Sequence, residues 1–217
     1  MSKALIWDMD GVLADTGEAH FAAWRRLFAE YGHTMTQRQF QETFGMVNAD
    51  IIRHCLGDHV PTELAAEMGK RKEELFREMA PGRIRLLPGV AKWLAWGRQR
   101  GYRQVVASSG EMANIVTVLS VLGISNYFDA LLSGAFLPKS KPDPALFLQA
   151  AAAVGVAPED SLVIEDGIVG VEAAERAGMH CLAVTTTNPA EKLAQADLIV
   201  DNLEQVDEEA MERLLGL

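Results

Sequence analysis

Short, uninterrupted hydrophobic runs recur along this chain of 217 residues, and they constrain its fold more than any other feature. Each run has the length of a β-strand and lacks the polar and apolar alternation of a half-exposed strand. Such runs are typical of parallel strands that are buried on both faces. We therefore predict strands at Ala4–Trp7, Gln104–Ala107, Leu162–Ile164, Cys181–Val184 and Leu198–Val200.

Helical patterns separate these runs in the second part of the chain. Apolar residues recur at helical spacing, and a glycine follows each pattern, as is common at helix C-termini. The predicted helices are 90–100, 112–122, 144–154 and 169–177. Strands and helices thus alternate from about residue 88 onward, which predicts an α/β fold with a doubly wound parallel-sheet (Rossmann-like) core.

Residues 15–87 follow a different pattern, because no convincing strand occurs among them. Four stretches show helical spacing instead, namely the apolar stripe from Phe21 to Phe28 and the predicted helices Thr36–Phe44, Asn48–Leu56 and Pro61–Met79. The segment from Pro81 to Gly89 has the composition of a linker. We therefore predict a small α-helical cap, residues 15–87, inserted into an α/β core formed by residues 1–14 and 88–217.

The composition is that of an ordinary globular protein, with 49% hydrophobic and 23% charged residues. Acidic residues outnumber basic ones by 30 to 20, and the net charge of −10 argues against nucleic-acid or membrane-surface binding. Asp8 and Asp10 interrupt the first apolar run too early for a signal peptide. The two cysteines, Cys55 and Cys181, fit a reduced, cytoplasmic protein. We expect a monomer or a weak dimer.

Two polar clusters directly follow predicted strands. They are Asp8, Asp10 and Gly11 after the first strand, and Ser108, Ser109 and Gly110 after the second. Ligands bind at the carboxyl ends of parallel strands, so the acids are candidates for a nucleophile and a proton donor, and the hydroxyls for an anion site. Taken alone, each cluster is better explained as a solvated acidic turn or a serine helix cap.

Two further clusters lie later in the chain. Lys139 and Lys141 belong to a proline-rich loop that opens a helix, and Glu165 and Asp166 follow another predicted strand. A lysine in such a loop can pair with phosphate or hold carboxylates together, and paired acids suit Mg²⁺. The simpler alternatives are a surface lysine pair and an aspartate that caps the next helix.

The combination of the four clusters points to phosphoryl transfer. Together they supply a carboxylate nucleophile, a hydroxyl, a lysine and an acidic pair, which is the set that transfer through an aspartyl phosphate needs. A carboxylate that attacks a phosphate dianion meets charge repulsion. Mg²⁺ and a lysine are therefore required to neutralise the site.

The order of these clusters resembles the haloacid dehalogenase superfamily. The matching residues are Asp8-Met-Asp-Gly-Val-Leu-Ala-Asp-Thr, Ser108, Lys141-Pro142 and Glu165-Asp166-Gly. All four sequence motifs of the superfamily are present in order, and the resemblance covers essentially the whole chain. An aspartate at position 10 resembles the phosphotransferase members rather than true dehalogenases. The helical insert and the stretch from Asp15 to Trp24 resemble β-phosphoglucomutase and its phosphatase relatives.

This resemblance implies a role for each matching residue. Asp8 would be the nucleophile and Asp10 the general acid and base, while Ser108 and Lys141 would bind the transferring phosphoryl group. The implied Mg²⁺ ligands are Asp8, the backbone carbonyl of Asp10, Glu165 and Asp166. The implied contacts to the substrate or its phosphate are Gly11, Ser109, Gly110, Thr16, His20 and Asn48.

We therefore predict a Mg²⁺-dependent phosphatase that acts on a small phosphorylated metabolite, a sugar phosphate, through an aspartyl phosphate. The alternative is a sugar phosphomutase of the β-phosphoglucomutase type. That enzyme has a cap arginine for the second phosphate of its substrate, whereas the matching positions here are Asn48 and Ala49. The nearest arginine, Arg53, lies roughly one helical turn further on, which favours the phosphatase.

Other classes of protein fit the sequence less well. A signalling receiver also builds a phosphoaspartate site, but it lacks a helical insert of this size and the second acid, Asp10. A non-catalytic binding protein is disfavoured because every motif residue is intact. A Rossmann dehydrogenase is disfavoured because no G-x-G-x-x-G motif follows the first strand.

Overall fold

The apolar runs form the strands of a parallel sheet in the computed structural model, which describes residues 2–43 and 45–217. The strands are β1 (Ala4–Trp7), β2 (Ala14–Asp15), β3 (Arg85–Leu86), β4 (Arg103–Ser108), β5 (Ala130–Ser133), β6 (Ser161–Glu165), β7 (His180–Val184) and β8 (Leu198–Val200). The six longer strands make one sheet in the order β5–β4–β1–β6–β7–β8, and every pair is parallel. The predicted α/β class and doubly wound core are confirmed.

Helices fill the chain between these strands. They are α1 (Gly17–Glu30), α2 (Gln37–Thr43), α3 (Asn48–Leu56), α4 (Thr62–Met79), α5 (Val90–Gln99), α6 (Met112–Leu122), α7 (Ala145–Ala153), α8 (Ile168–Arg176) and α9 (Glu208–Leu214). Short 3₁₀ turns lie at Ser125–Tyr127, Pro158–Asp160, Ala190–Lys192 and Leu203–Gln205. Each of α5 to α8 follows one strand and leads to the next, as a doubly wound sheet requires.

Strand β1 lies in the middle of the sheet, and all four of its residues are fully buried, Ala4, Leu5, Ile6 and Trp7. On one face, Ile6 belongs to an apolar cluster that includes Phe147 of α7 and Val171 of α8. On the other face, Leu5 lies against Gly97 of α5. Burial on both faces explains why the strand is a continuous hydrophobic run in the sequence.

The later strands of the sheet lie on both sides of β1. Strands β4 and β5 lie on one side, and β6, β7 and β8 lie on the other. The order therefore reverses between β1 and β6, where Trp7 pairs with Ile164. In open parallel sheets, ligands bind beyond the carboxyl ends of the strands at this point of reversal.

Most of the predicted elements are present with shifted ends. All five predicted strands occur within one residue of their expected limits, and the helices expected at 112–122 and 48–56 coincide with α6 and α3. The helix predicted for 36–44 is observed as α2, and Phe44 lies outside the described residues. Strand β5 was not predicted, since its four residues are only half-buried and give a weak hydrophobic signal. Helix α9 was not predicted either.

The expectation of no strand between residues 15 and 87 is wrong at β3. This strand pairs antiparallel with β2, so that Ala14 lies opposite Leu86 and Asp15 opposite Arg85. A strand of two residues shows no periodicity, and it was therefore included in the predicted linker. The pair brings together the points at which the chain leaves the core and returns to it.

The chain divides into two units, residues 16–84 and a second unit that combines residues 2–15 with 85–217. The larger unit contains the sheet. In the smaller unit, α1 packs against α4, and its buried interior includes Trp24, Phe28 and Phe76. None of the helices in the described ranges is both long enough and apolar enough to cross a membrane.

One glycine of the larger unit gives a test of this fold. Gly89 precedes α5 with φ +85°, and a Cβ there would lie 2.5 Å from the backbone carbonyl carbon of Leu203. We expect Gly89→Ala to lower the free energy of unfolding by about 3 kcal/mol, because backbone strain and a clash with rigid backbone add. Urea unfolding measures the loss.

Gly101 provides the matched control for this substitution. Its φ of +73° is similar, but no atom lies within 4 Å of an added Cβ. Gly101→Ala should therefore show the backbone strain alone, roughly 1–2 kcal/mol. Equal losses for the two variants would contradict the packing of α5 against the segment at Leu203.

Candidate active site

Asp8 leaves the sheet at the carboxyl end of β1. Its backbone N–H donates to the carbonyl of Ile164 at 3.0 Å, so the residue is still held by the neighbouring strand. The chain then turns sharply, since the N–H groups of Leu13 and Ala14 both donate to the carbonyl of Met9 at 3.0 Å. This turn allows two acids that are close in sequence to approach one site. Asp8 is buried, and Asp10 in the turn is half-buried.

Gly11 is the residue that permits this turn. Its φ is +82°, and a Cβ at this position would overlap the carboxylate of Asp166. Only glycine combines the left-handed backbone with such a close approach. The turn after β1 is therefore packed directly against the acid that follows β6.

The ammonium of Lys141 lies between two buried carboxylates. Its Nζ donates to Oδ1 of Asp8 at 2.6 Å and also to Oε1 of Glu165, and the Lys141 side chain is only 6% exposed. Lys139 in the same loop is 78% exposed and approaches Asp143 at 3.7 Å. A surface lysine pair is thus the wrong description, because only Lys139 is on the surface.

Glu165 is held from several sides. Its Oε2 accepts hydrogen bonds from the backbone N–H groups of Asp166 and Gly167, both at 2.8 Å, while Oε1 accepts from Lys141. Gly170 in the first turn of α8 leaves room for this carboxylate, which any Cβ there would overlap. Glu165 therefore fixes the position of the Lys141 ammonium.

Asp166 is the third buried acid of the cluster. Its Oδ2 accepts a hydrogen bond from the hydroxyl of Thr187, and its backbone carbonyl accepts one from Nδ2 of Asn188 at 3.0 Å. Burial, followed by repulsion from Glu165, raises the pKa of Asp166 to about 7. A nearby cation would therefore stabilise the ionised form of the Asp166 carboxylate.

The pKa values of Asp8 and Lys141 show the same excess of negative charge. Burial raises the pKa of Asp8 well above its usual value, although Lys141 opposes this shift. For Lys141, burial disfavours the charged form, but the carboxylates of Asp8 and Glu165 outweigh it and raise the pKa above its ordinary value. The buried acids Asp8, Glu165 and Asp166 thus outnumber the one buried ammonium, which contacts only the first two.

The serine cluster lies at the end of β4. Ser108 is buried, and its Oγ accepts a hydrogen bond from the backbone N–H of Gly110 at 3.1 Å. Ser109 is exposed, and Gly110 is half-buried. The N-cap residue of α6 is Glu111, so the alternative of a serine helix cap is wrong.

The alternative of an aspartate cap after β6 is also wrong. The N-cap residue of α8 is Gly167, and no side chain caps this helix end. Asp166 instead lies among Gly11, Thr186 and Thr187. The acidic pair therefore belongs to the carboxylate cluster rather than to the start of a helix.

The expected substrate contacts Thr16, His20 and Asn48 all lie in the helical unit. Thr16 is the buried N-cap residue of α1. His20 stacks on Phe76 with ring centroids 4.1 Å apart, and its Nδ1 lies 2.9 Å from Nζ of Lys72. Buried Lys72 donates to Oε1 of Glu73, which also accepts from Nδ2 of Asn48 at 2.7 Å. His20 and Asn48 thus belong to one hydrogen-bonded chain of side chains.

Sequence reasoning missed the polar residues after β7. Thr186, Thr187 and Asn188 all bond to Asp166 or to the turn at Gly11. The signal was present, because the run Thr-Thr-Thr-Asn directly follows the predicted strand Cys181–Val184. Ligands bind beyond the carboxyl ends of parallel strands, so polar residues at this position are candidates for the site.

The fold and the carboxylate cluster define a known class of enzyme. The family model for haloacid dehalogenase-like hydrolases matches residues 2–178, and the chain belongs to this family. The enzyme class predicted from the sequence, a phosphoric monoester hydrolase of this superfamily, is confirmed. The receiver and dehydrogenase alternatives are therefore excluded.

Individual relatives include both phosphatases and a phosphomutase. Fructose-1-phosphate phosphatase YqaB of Escherichia coli (strain K12) is 34% identical over 185 residues, which are 83% of this chain and 95% of that protein. Beta-phosphoglucomutase of Bacillus subtilis (strain 168) is 30% identical over 207 residues, or 91% of this chain and 88% of that protein. The crystal structure of beta-phosphoglucomutase (pgmB) from Clostridium difficile matches with a TM-score of 0.83 at 26% identity, covering 100% and 98% of the two chains.

The two lysines of one loop provide a matched test of the cluster. We expect Lys141→Met to lower the free energy of unfolding by about 3 kcal/mol and to abolish turnover, because it leaves Asp8 and Glu165 buried without their cation. Lys139→Met should change stability by less than about 0.5 kcal/mol, since that side chain is exposed. Urea unfolding and a phosphatase assay measure both effects. Similar behaviour of the two variants would refute the buried ion pair.

Proposed function

We propose that the protein is a Mg²⁺-dependent phosphatase that hydrolyses a small sugar phosphate through a phosphoryl group carried on Asp8. The observation that supports this most strongly is the position of Lys141, whose buried ammonium bridges Asp8 and Glu165 beside Asp166. A buried nucleophile with an adjacent cation suits attack on an anionic phosphate, because the cation offsets the charge repulsion.

The nucleophile in this proposal is the carboxylate of Asp8. An oxygen of Asp8 forms a bond to phosphorus while the bond between phosphorus and the sugar oxygen breaks. Lys141 holds Asp8 in place and neutralises part of the charge that gathers on the transferring group. Ser108 at the end of β4 and the backbone N–H groups around it are proposed to bind the phosphoryl oxygens.

Asp10 is proposed to move the protons. In the first step, its carboxylic acid gives a proton to the departing sugar oxygen. In the second step, the resulting carboxylate takes a proton from water as the water oxygen bonds to phosphorus. The bond between Asp8 and phosphorus then breaks, which releases inorganic phosphate and restores both aspartates.

The donor set of the cluster fits Mg²⁺. This ion prefers one or two carboxylates, with waters and substrate phosphate as its remaining ligands. Among the described residues, no three His, Cys, Asp or Glu side chains are arranged as a metal site, and the proposed site uses only two carboxylates. We propose Asp8, Asp166 and the backbone carbonyl of Asp10 as its ligands.

The charge of the cluster supports the same assignment. The pKa values of Asp8 and Asp166 are both raised by burial and by repulsion from neighbouring acids, so an added cation would stabilise both carboxylates. When bound, Mg²⁺ would neutralise the acids and polarise the transferring phosphoryl group. The expected ligand Glu165 is proposed to act through Lys141 instead, since its two oxygens accept hydrogen bonds from Lys141 and the backbone.

A sugar phosphate is proposed as the substrate on the basis of the relatives. The Escherichia coli relative is a fructose-1-phosphate phosphatase, and it covers most of this chain. A second relative, from Thermotoga maritima, is a phosphorylated carbohydrates phosphatase that is 29% identical over 203 residues. The helical unit, residues 16–84, is proposed as the cap that selects among such substrates.

The phosphomutase is the second candidate, and the Bacillus subtilis relative favours it. A mutase must grip a second phosphate with a fixed cation, since an unpaired buried dianion is very costly. Asn48 and Ala49 carry no positive charge. Arg53 lies 3.8 Å from Asp50 and 3.4 Å from the hydroxyl of Thr62 within the helical unit, so it already has partners. The phosphatase is therefore the better proposal.

We also propose a cytoplasmic location and a monomeric or weakly dimeric state. Both cysteines are free thiols, which fits a reducing compartment. The net charge of −10 favours a small-molecule substrate over nucleic acid or an anionic membrane.

The role of Asp8 can be tested by a nearly isosteric substitution. We expect Asp8→Asn to abolish turnover of p-nitrophenyl phosphate and fructose 1-phosphate while the protein stays folded, because the amide is a poor nucleophile. Asp197→Asn is the control. Asp197 accepts a hydrogen bond from the backbone N–H of Cys181 at the amino end of β7, so this variant should retain full activity. Residual activity of Asp8→Asn near that of the wild type would rule out the covalent mechanism.

The products formed from β-glucose 1-phosphate separate phosphatase from phosphomutase. With Mg²⁺ and a glucose 1,6-bisphosphate primer, we expect the release of inorganic phosphate to exceed isomerisation to glucose 6-phosphate. Arg53→Ala should alter turnover only modestly. A phosphate assay and a coupled dehydrogenase assay measure the two products. Fast isomerisation with negligible phosphate release, abolished by Arg53→Ala, would establish the mutase instead.

A further inference from the structure

The loop after β7 holds Asp166 at both its side chain and its backbone. The hydroxyl of Thr187 donates to Oδ2 of Asp166, and Nδ2 of Asn188 donates to the Asp166 carbonyl at 3.0 Å. The two donors are adjacent in sequence, and they bond to the side chain and to the backbone of the same residue. None of the motifs that identified the family includes them.

Thr186 extends this contact to the turn after β1. Its hydroxyl donates to the backbone carbonyl of Gly11, and its Oγ1 lies 3.4 Å from Oδ2 of Asp166. A Cβ on Gly11 would lie 2.9 Å from Oγ1 of Thr187 as well as overlapping Asp166. The turn that follows Asp10, the acid after β6 and the loop after β7 thus form one packed cluster.

This arrangement restricts the rotation of the Asp166 carboxylate. Two buried acids next to each other repel, and a carboxylate that is free to rotate would turn away from its neighbour. The Thr187 hydroxyl donates to Oδ2, and Oγ1 of Thr186 lies against the same oxygen, so both contacts hold Oδ2 in place. Groups that orient a metal ligand in this way commonly set metal affinity, because the ligand is then already in place when the ion arrives.

We propose that Thr187, supported by Thr186 and Asn188, is a positioning residue that fixes the Asp166 carboxylate for Mg²⁺. This inference rests on the magnesium site of the proposed function. It assigns a role in metal affinity to a loop that contributes no ligand of its own.

The test compares three variants in the same run of threonines. Thr187→Val removes the hydroxyl with little change in shape, and Thr187→Ser restores it. Thr185→Val is the matched control, because the Thr185 hydroxyl donates to Asp201 at 3.1 Å rather than to Asp166. Mg²⁺ binding to the substrate-free protein is measured by calorimetry, and the Mg²⁺ dependence of p-nitrophenyl phosphate turnover is measured separately. Thermal unfolding in EDTA reports stability without metal.

We expect Thr187→Val to weaken Mg²⁺ binding by roughly 10- to 100-fold and to raise the half-saturating Mg²⁺ concentration by the same factor. The value of kcat at saturating Mg²⁺ and the unfolding temperature in EDTA should stay close to wild type. Thr187→Ser should recover most of the affinity, and Thr185→Val should bind Mg²⁺ like the wild type.

Three results would overturn the proposal. Unchanged Mg²⁺ affinity in Thr187→Val would show that the hydroxyl does not position Asp166, while the proposed phosphatase would stand. Equal weakening in Thr185→Val would show that the effect comes from loop folding in general. A wild-type protein that neither binds Mg²⁺ nor needs it for turnover would remove the magnesium site itself.

Discussion

The buried ammonium of Lys141 is the interaction on which the active site depends. It lies within hydrogen-bonding distance of Asp8 and Glu165, two carboxylates that come from adjacent strands. Without it, both acids would be buried with no cation, a state that proteins avoid. The ammonium therefore makes it possible to keep the carboxylates of Asp8 and Glu165 buried side by side, as the proposed mechanism requires.

The parallel sheet explains why residues so far apart in the chain reach this ammonium. Strands β1 and β6 are neighbours at the point where the strand order reverses, so Asp8 and the pair Glu165 and Asp166 leave the sheet side by side. Strand β7 lies next to β6 and supplies Thr187 from the same edge. Gly11 lets the turn after β1 pack against Asp166. Each contact follows from the order of the strands in the sheet.

Much of this arrangement could be predicted from the sequence, because its signals are local. Continuous apolar runs marked five of the six main strands, and polar residues just beyond them marked Asp8, Ser108 and Glu165. What could not be predicted is non-local. The composition of the loop does not show which of Lys139 and Lys141 is buried, and only the family resemblance singled out Lys141, which the fold places between two acids. The proposed role of Thr187 also depends on β7 lying beside β6.

The most direct measurement of the central claim is detection of a phosphoryl group on Asp8. The departing group of p-nitrophenyl phosphate needs no proton, so Asp10→Asn should still form the aspartyl phosphate but hydrolyse it slowly. After acid quenching in the presence of Mg²⁺ and this substrate, mass spectrometry should find one phosphoryl group on the peptide that contains Asp8. The double variant Asp8→Asn, Asp10→Asn should carry none. Release of phosphate without any phosphorylated Asp8, or a phosphoryl group on another residue, would contradict covalent catalysis by Asp8.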